Sequence, residues 1–215
     1  MINNYKHIIW DWNGTLLNDV NFCRRIINRI LVENELLELS LEKYREIFTF
    51  PVQDYYKAAG LDFSKTSFEV MGKDFIDEYE EKKLSCSLHE KAIDVLSIIH
   101  QKGIKQSVLS AYLHDNLVNI LNHYNLTQYF DNIIGLDNIY AGSKTHLGLT
   151  LVDQLNLPKN EILFIGDTLH DAEVAEAMGV KSILIANGHQ VKEKLMVNGN
   201  FVLDNMMELK GFLNL

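Results

Sequence analysis

The sequence contains few of the residues that mark disulfide-rich, proline-rich or nucleic-acid-binding proteins. Its 215 residues include only two cysteines and two prolines, and its 20 basic residues are outnumbered by 29 acidic ones. Two cysteines without metal-ligand spacing are too few for a disulfide framework, and two prolines cannot form a proline-rich linker. A formal charge of −9 argues against a partner nucleic acid, which needs a basic surface.

Long apolar runs and internal repeats are also absent from the sequence. We therefore expect no transmembrane helix, no signal peptide in the polar start MINNYKH and a cytoplasmic location. Hydrophobic residues make up 47% and charged residues 23%, values typical of folded globular proteins. The expected protein is a monomer or homodimer without a membrane partner.

Five short apolar runs, each ending in small or polar residues, are candidate strands. They are HIIWDW from His7, QSVLSA from Gln106, NIIGLD from Asn132, ILFIGD from Ile162 and SILIAN from Ser182. Continuous apolarity is typical of strands that helices cover on both faces. Stretches of helical periodicity separate the last four runs, so the sequence predicts an α/β fold with a doubly wound parallel sheet.

Residues 18–87 interrupt this alternation, because no convincing strand pattern occurs among them. Apolar residues instead recur at helical spacing, as in Ile26, Ile27, Ile30 and Leu31 and again in Phe68, Met71, Phe75 and Tyr79. The sequence therefore predicts a core of residues 1–17 and 88–215 with an inserted α-helical domain of residues 18–87.

Polar side chains follow the candidate strands where a parallel sheet binds its ligands, at the carboxyl ends. These residues are Asp11, Ser110, Lys144, Asp167 and Asp171. Converging carboxylates repel one another unless a cation lies between them, and hard oxygen ligands favour Mg²⁺. A Mg²⁺ site beside a lysine and a hydroxyl suits a phosphate group.

The motifs resemble, in order, those of the haloacid dehalogenase superfamily. They are DWNGTLLND from Asp11, then Ser110, Lys144 and GDTLHD from Gly166. The inserted helices are similar to the cap of phosphoglycolate phosphatase-like members. The resemblance implies a Rossmann-like core with a helical cap domain, and Mg²⁺-dependent hydrolysis of a small phosphorylated metabolite.

The resemblance also implies a role for each matching residue. Asp11 is the expected nucleophile, which forms an aspartyl-phosphate that water then hydrolyses. The expected metal ligands are Asp11, the backbone carbonyl of Asn13, Asp167 and Asp171.

The phosphate is expected to bind beside the metal. Its expected contacts are Ser110 with the adjoining Ala111, Lys144 and the backbone around Gly14. From the cap, Gln53 is the expected substrate contact, with Tyr55 and Arg45 as further candidates.

Asn13 departs from the family pattern, in which phosphatases usually carry a second aspartate that protonates the leaving oxygen. An amide has no labile proton near neutral pH, and general acid–base catalysis contributes roughly 10²–10⁴-fold in rate. Two alternatives therefore stay open. One is carbon–phosphorus cleavage like that of phosphonoacetaldehyde hydrolases, which needs a cap lysine, here Lys57, Lys65, Lys73, Lys82 or Lys83. The other is a weakly catalytic protein that binds a phosphate ligand.

Overall fold

The structure, a computed structural model, describes residues 2–137 and 143–215. A six-stranded parallel sheet forms its centre, in the order β5-β4-β1-β6-β7-β8. The strands are β1 (His7–Trp10), β4 (Lys105–Leu113), β5 (Asn132–Leu136), β6 (Ile162–Gly166), β7 (Lys181–Ile185) and β8 (Val202–Leu203). The predicted doubly wound α/β fold is confirmed, and all five candidate strands are present.

Helices alternate with these strands and cover the sheet. They are α5 (Ala92–Gln101), α6 (His114–His123), α7 (Thr145–Leu155), α8 (Leu169–Met178), α9 (Lys192–Leu195) and α10 (Met206–Leu213). Every residue of β1 and β6 is buried, which explains why both segments read as unbroken apolar runs. The register pairs Trp10 with Val108 on one side and with Ile165 on the other. Strand β1 therefore ends at the centre of the sheet edge, and Asp11 follows it.

Four helices occupy the chain between the first strand and α5. They are α1 (Val20–Glu33), α2 (Leu41–Ile47), α3 (Val52–Ala58) and α4 (Phe68–Lys82). The apolar stripe predicted for the first of them is buried, with Ile26, Ile27, Ile30 and Leu31 at most 2% exposed. The Ser40 hydroxyl accepts from the backbone N–H of Lys43 and caps α2.

A short antiparallel pair lies where the chain enters and leaves these helices. Strand β2 (Leu17–Asn18) pairs with β3 (Ser87–Leu88). The pair coincides with the predicted boundaries at residues 17 and 88, and the division into core and cap stays a prediction. Within the described residues, no helix is both long and apolar enough to span a membrane.

Candidate active site

Three buried carboxylates converge at the carboxyl end of β1 and β6. Oxygen atoms of Asp11, Asp167 and Asp171 lie within 4.8 Å of one another. Asp11 follows β1, Asp167 follows β6, and Asp171 lies in the first turn of α8. The structure therefore brings together the three carboxylates that the sequence predicts as metal ligands.

The ammonium of Lys144 lies between two of these carboxylates. Its Nζ atom contacts Oδ1 of Asp11 and lies 2.7 Å from Oδ1 of Asp171. Nζ also donates to the Leu109 carbonyl of β4, 3.1 Å away. Lys144 is only 2% exposed, and its neighbouring carboxylates raise its pKa against the effect of burial. The side chain thus remains a fixed positive charge inside the cluster.

The cluster carries more negative than positive charge. Burial, followed by the Asp171 and Asp167 carboxylates, raises the pKa of Asp11 to about 8, although Lys144 opposes the shift. Burial likewise raises the pKa of Asp167 to about 6. The Lys144 ammonium lowers the pKa of Asp171, although burial opposes it. Three carboxylates facing one ammonium are the donor set that a divalent cation would stabilise.

Hydrogen bonds fix the orientation of the carboxylates that follow β6. Oδ1 of Asp167 accepts from the Thr15 hydroxyl at 2.7 Å, and Oδ2 accepts from the His189 backbone N–H at 2.7 Å. Oδ2 of Asp171 accepts from the Thr168 N–H and hydroxyl at 2.9 and 2.8 Å. These hydrogen bonds to Oδ2 fix the carboxylate of Asp171 and so orient its other oxygen, Oδ1, towards Lys144.

Gly14 allows the loop after β1 to approach these carboxylates. Its φ of +76° lies in the left-handed region. A Cβ atom at this position would lie 2.3 Å from Oδ2 of Asp167 and 2.4 Å from Cδ2 of His189. Gly14 is thus required both for its backbone conformation and for space.

Ser110 and Ala111, near the end of β4, both line a cavity that also contains Asp11, Asn13 and Lys144. The Ser110 hydroxyl accepts from the Tyr112 backbone N–H at 3.2 Å. No acceptor for its own proton occurs among residues 2–137 and 143–215, so this proton is available to a ligand. The structure thus brings the predicted phosphate contacts of β4 to the carboxylate cluster.

Gln53 lies away from this group. The side chain is exposed on α3 and does not line the cavity. The helical spacing of α3 explains the difference, because Val52, Tyr55 and Tyr56 face the cavity and leave Gln53 on the outer side. Of the other candidates from the cap, Tyr55 lines the cavity and Arg45 does not.

None of the five candidate cap lysines lines the cavity. Lys57, Lys73, Lys82 and Lys83 instead form ion pairs with acidic residues of their own helices or the adjoining turn. The described lining therefore offers no amine from the cap for carbon–phosphorus cleavage.

A buried polar network holds the side chain of Asn13. Its Nδ2 atom lies 2.8 Å from Oδ2 of Asp19 and 2.7 Å from the Tyr79 hydroxyl. The Tyr79 hydroxyl in turn donates to Oδ2 of Asp19 at 2.8 Å. Both amide protons of Asn13 thus have acceptors within the protein, and neither is left for a leaving oxygen.

His189 extends this network. The sequence does not indicate it as a site residue, because Gly188-His189 after a strand is typical of a plain turn. Its ring lies 2.8 Å from the Tyr44 hydroxyl and 3.3 Å from Oδ1 of Asp19. Although burial opposes the shift, Asp19 raises the pKa of His189. The contacts join residues far apart in the chain, so no local pattern indicates them. The one signal in the sequence is the second aspartate of DWNGTLLND, Asp19, which shows a further carboxylate near the site but not its partner.

Aromatic side chains of the cap and of β4 line the cavity above the carboxylates. The cavity has a volume of about 180 Å³. Its aromatic lining consists of Tyr44, Phe48, Phe50, Tyr55, Tyr56, Phe68, Phe75, Tyr79 and Tyr112. The arrangement combines a small polar base, suited to a phosphate group, with a large apolar upper part.

Comparison with known proteins agrees with the fold and identifies the family of the chain. The family model described as "Haloacid dehalogenase-like hydrolase" matches residues 8–185. The phosphoglycolate phosphatase of Rhodobacter capsulatus is 22% identical over 187 residues, which are 85% of each chain. The pyrophosphatase PpaX of Bacillus pumilus is 24% identical over 219 residues, covering 94% of this chain and 93% of that protein.

A solved structure shows the same fold. The crystal structure of a predicted phosphatase from Clostridium acetobutylicum superposes with a TM-score of 0.81 at 20% sequence identity. The superposition covers 98% of this chain and 99% of that one. The sheet and the inserted helices together therefore follow a known arrangement.

Proposed function

The chain belongs to the haloacid dehalogenase-like hydrolases, and from that premise we propose that it is a Mg²⁺-dependent phosphohydrolase of a small phosphate monoester, with Asp11 as the nucleophile. The family and its phosphatase-named relatives identify the chain as a hydrolase with phosphatase chemistry. One observation carries the finer proposal: Lys144 bridges Asp11 and Asp171 beside Asp167, in a buried cluster open to the cavity.

The donor set of this cluster fits a hard divalent cation. Asp11, Asp167 and Asp171 would hold it, together with the backbone carbonyl of Asn13. Bound there, Mg²⁺ would supply positive charge against the oxygens of the transferred phosphoryl group. The raised pKa values of Asp11 and Asp167 support this assignment, because burial and the neighbouring carboxylates disfavour the charged forms that a bound divalent cation would favour.

The chain's own residues account for the two transfers. An Asp11 oxygen attacks phosphorus, the bond from phosphorus to the ester oxygen breaks, and the electron pair leaves on that oxygen. Water then attacks the aspartyl-phosphate, the bond from phosphorus to Asp11 breaks, and phosphate is released with the carboxylate restored. Lys144 and the Ser110 hydroxyl bind the phosphoryl oxygens and so hold phosphorus in position for attack by Asp11 opposite the leaving oxygen.

Protonation of the leaving oxygen is the step for which the site offers least. The Asn13 amide has no acidic proton, and its N–H groups already bind Asp19 and Tyr79. Asn13 therefore supplies no proton to the ester oxygen. Esters of acidic alcohols or phenols should react faster than simple alkyl esters.

Phosphate release from p-nitrophenyl phosphate, with and without Mg²⁺, tests the proposal. We expect release that requires Mg²⁺ and falls at least about 10⁴-fold in Asp11→Asn, since the nucleophile is lost. Asp153→Asn, at an exposed position of α7, is the matched control and should leave the rate unchanged. Ligand-dependent thermal stabilisation without any turnover would instead support the binding-protein alternative.

A further inference from the structure

Among the described residues, no lysine or arginine that lines the cavity is left unpaired for a second anion on the substrate. Among the described residues that line it, Lys144 is the only lysine or arginine, and its ammonium already contacts Asp11 and Asp171. Residues 138–142 contain no charged side chain. Two further carboxylates of the lining are also paired within the protein, Glu80 with Lys83 and Asp19 with His189.

This charge distribution differs from what the substrates named for the relatives would need. Phosphoglycolate carries a carboxylate beyond its phosphate, and pyrophosphate carries a second phosphoryl group. Either group would lie in the aromatic part of the cavity, where burying an unpaired charge is strongly unfavourable. The site is therefore poorly suited to both.

The aromatic part of the cavity instead has the chemistry of a ring-binding site. The ring of Phe48 packs against those of Phe50 and Tyr55, with centroids 5.6 and 5.1 Å apart. Tyr55 also packs edge-on against Tyr44 at 5.6 Å. Rings in such a wall stack favourably with a further aromatic ring and gain little from a hydrated anion.

Two polar atoms of the lining residues also lack partners. The Tyr55 hydroxyl and Nε2 of His170 are buried and have no hydrogen-bond partner among the described residues. Tyr55 is only 2% exposed, and burial raises the pKa of its hydroxyl, which therefore stays protonated. Since buried polar groups are nearly always hydrogen-bonded in native proteins, these two atoms are available to a hydrogen-bonding substituent of a ligand, and the pairing of the cations in the lining favours an uncharged one.

We propose that the substrate is an aryl phosphate monoester whose ring carries an uncharged hydrogen-bonding substituent. The proposal rests on the proposed function, since it names the substrate of the same site. It also agrees with the amide at Asn13. A phenolate, whose conjugate acid has a pKa near 10, leaves unprotonated far more readily than an alkoxide.

The proposal is tested without turnover by the binding of phosphonates. In these compounds a carbon–phosphorus bond replaces the ester bond, so attack by Asp11 alone does not cleave them. Calorimetry with the full chain and Mg²⁺ should show phenylphosphonate binding at least tenfold more tightly than phosphonoacetate, the phosphonate counterpart of phosphoglycolate. Equal affinity, or tighter binding of phosphonoacetate, would overturn the proposal.

Two arginine substitutions in helix α4 test the role of charge in the cavity. Ile76→Arg places a cation in the lining of the cavity, and Val70→Arg places one on the exposed side of the same helix. We expect Ile76→Arg to bind phosphonoacetate at least tenfold more tightly than the parent protein, and Val70→Arg to be unchanged. An unchanged preference in a folded Ile76→Arg protein would contradict the charge argument.

The polar substituent is tested with the three hydroxyphenylphosphonate isomers. At least one should bind about tenfold more tightly than phenylphosphonate, and Tyr55→Phe should remove that gain. No gain for any isomer would overturn this part of the proposal.

Turnover separates this inference from the proposed function. Hydrolysis of phosphoglycolate in preference to phenyl phosphate would overturn the inference and leave the phosphohydrolase intact. Tight binding of phenylphosphonate, with no release of phosphate from phenyl or acetyl phosphate, would overturn the proposed phosphohydrolase and leave the preference of the cavity for an aromatic ring intact.

Discussion

The side-chain amide of Asn13 donates to the carboxylate of Asp19, with 2.8 Å between Nδ2 and Oδ2. The residue that stands where related phosphatases carry an acid is therefore a hydrogen-bond donor, fixed by a buried carboxylate that is itself fully hydrogen-bonded. A second carboxylate at this position would face Asp19 directly. The pair could remain buried only if it shared a proton.

Asn13→Asp should restore general acid catalysis for that reason. We expect kcat/KM for benzyl phosphate, whose leaving group is an alkoxide, to rise about 10²-fold. The value for phenyl phosphate should change less than about tenfold, because a phenolate needs little protonation. Asn119→Asp, at an exposed position of α6, is the control. Equal gains for both esters would contradict the account of Asn13.

Two glycines of nearly equal φ separate backbone strain from crowding. Gly14 has φ +76° with a carboxylate 2.3 Å from the position of a Cβ, whereas Gly103 has φ +74° and nothing within 4 Å. Gly103→Ala should lower the free energy of unfolding by about 1 kcal/mol. Gly14→Ala should cost at least about 3 kcal/mol, because overpacking adds to the strain. Urea denaturation measures both, and equal losses would show that the loop after β1 can move.

The free energy of unfolding should depend on pH through His7. Burial lowers the pKa of His7 to about 4, and its Nε2 lies 2.7 Å from the Ser107 hydroxyl. The unfolded chain, with a pKa near 6.5, binds the proton first as the pH falls, so stability is lost between about pH 6.5 and 4. The loss due to His7 is about 3 kcal/mol. His7→Gln should lack this part of the pH dependence. Parallel curves of the free energy of unfolding against pH for the two proteins would refute the role of His7.

The sequence predicts the strands and the order of the site residues well, for physical reasons. Strand β1 is covered on both faces, so its apolar run is unbroken, and each polar residue after a strand falls on the same edge of a parallel sheet. Strand β8, only two residues long, is too short to leave a pattern. The partners of His189 are not predictable, because Tyr44 lies 145 residues away in the chain.

Metal binding should be visible as a change in stability, independent of activity. At a concentration of one hundred times its Kd, Mg²⁺ should stabilise the protein by about 2.7 kcal/mol. Asp167→Asn should abolish this effect, although without metal the variant should be the more stable protein at pH 8, because it removes a carboxylate whose pKa burial raises to about 6. Thermal unfolding with and without Mg²⁺ measures both effects, and full Mg²⁺ stabilisation of the variant would exclude Asp167 as a ligand.

The central claim, that Asp11 carries the phosphoryl group, is tested most directly by trapping the intermediate. The protein is mixed with p-nitrophenyl phosphate and Mg²⁺, quenched in acid and reduced with borohydride, which converts an aspartyl-phosphate to homoserine. Mass spectrometry of the peptide that contains residues 7–15 should then find homoserine at position 11 in the parent protein and none in a mixture without substrate. Turnover that continues while Asp11 stays unmodified, with homoserine at another aspartate or at none, would contradict the account.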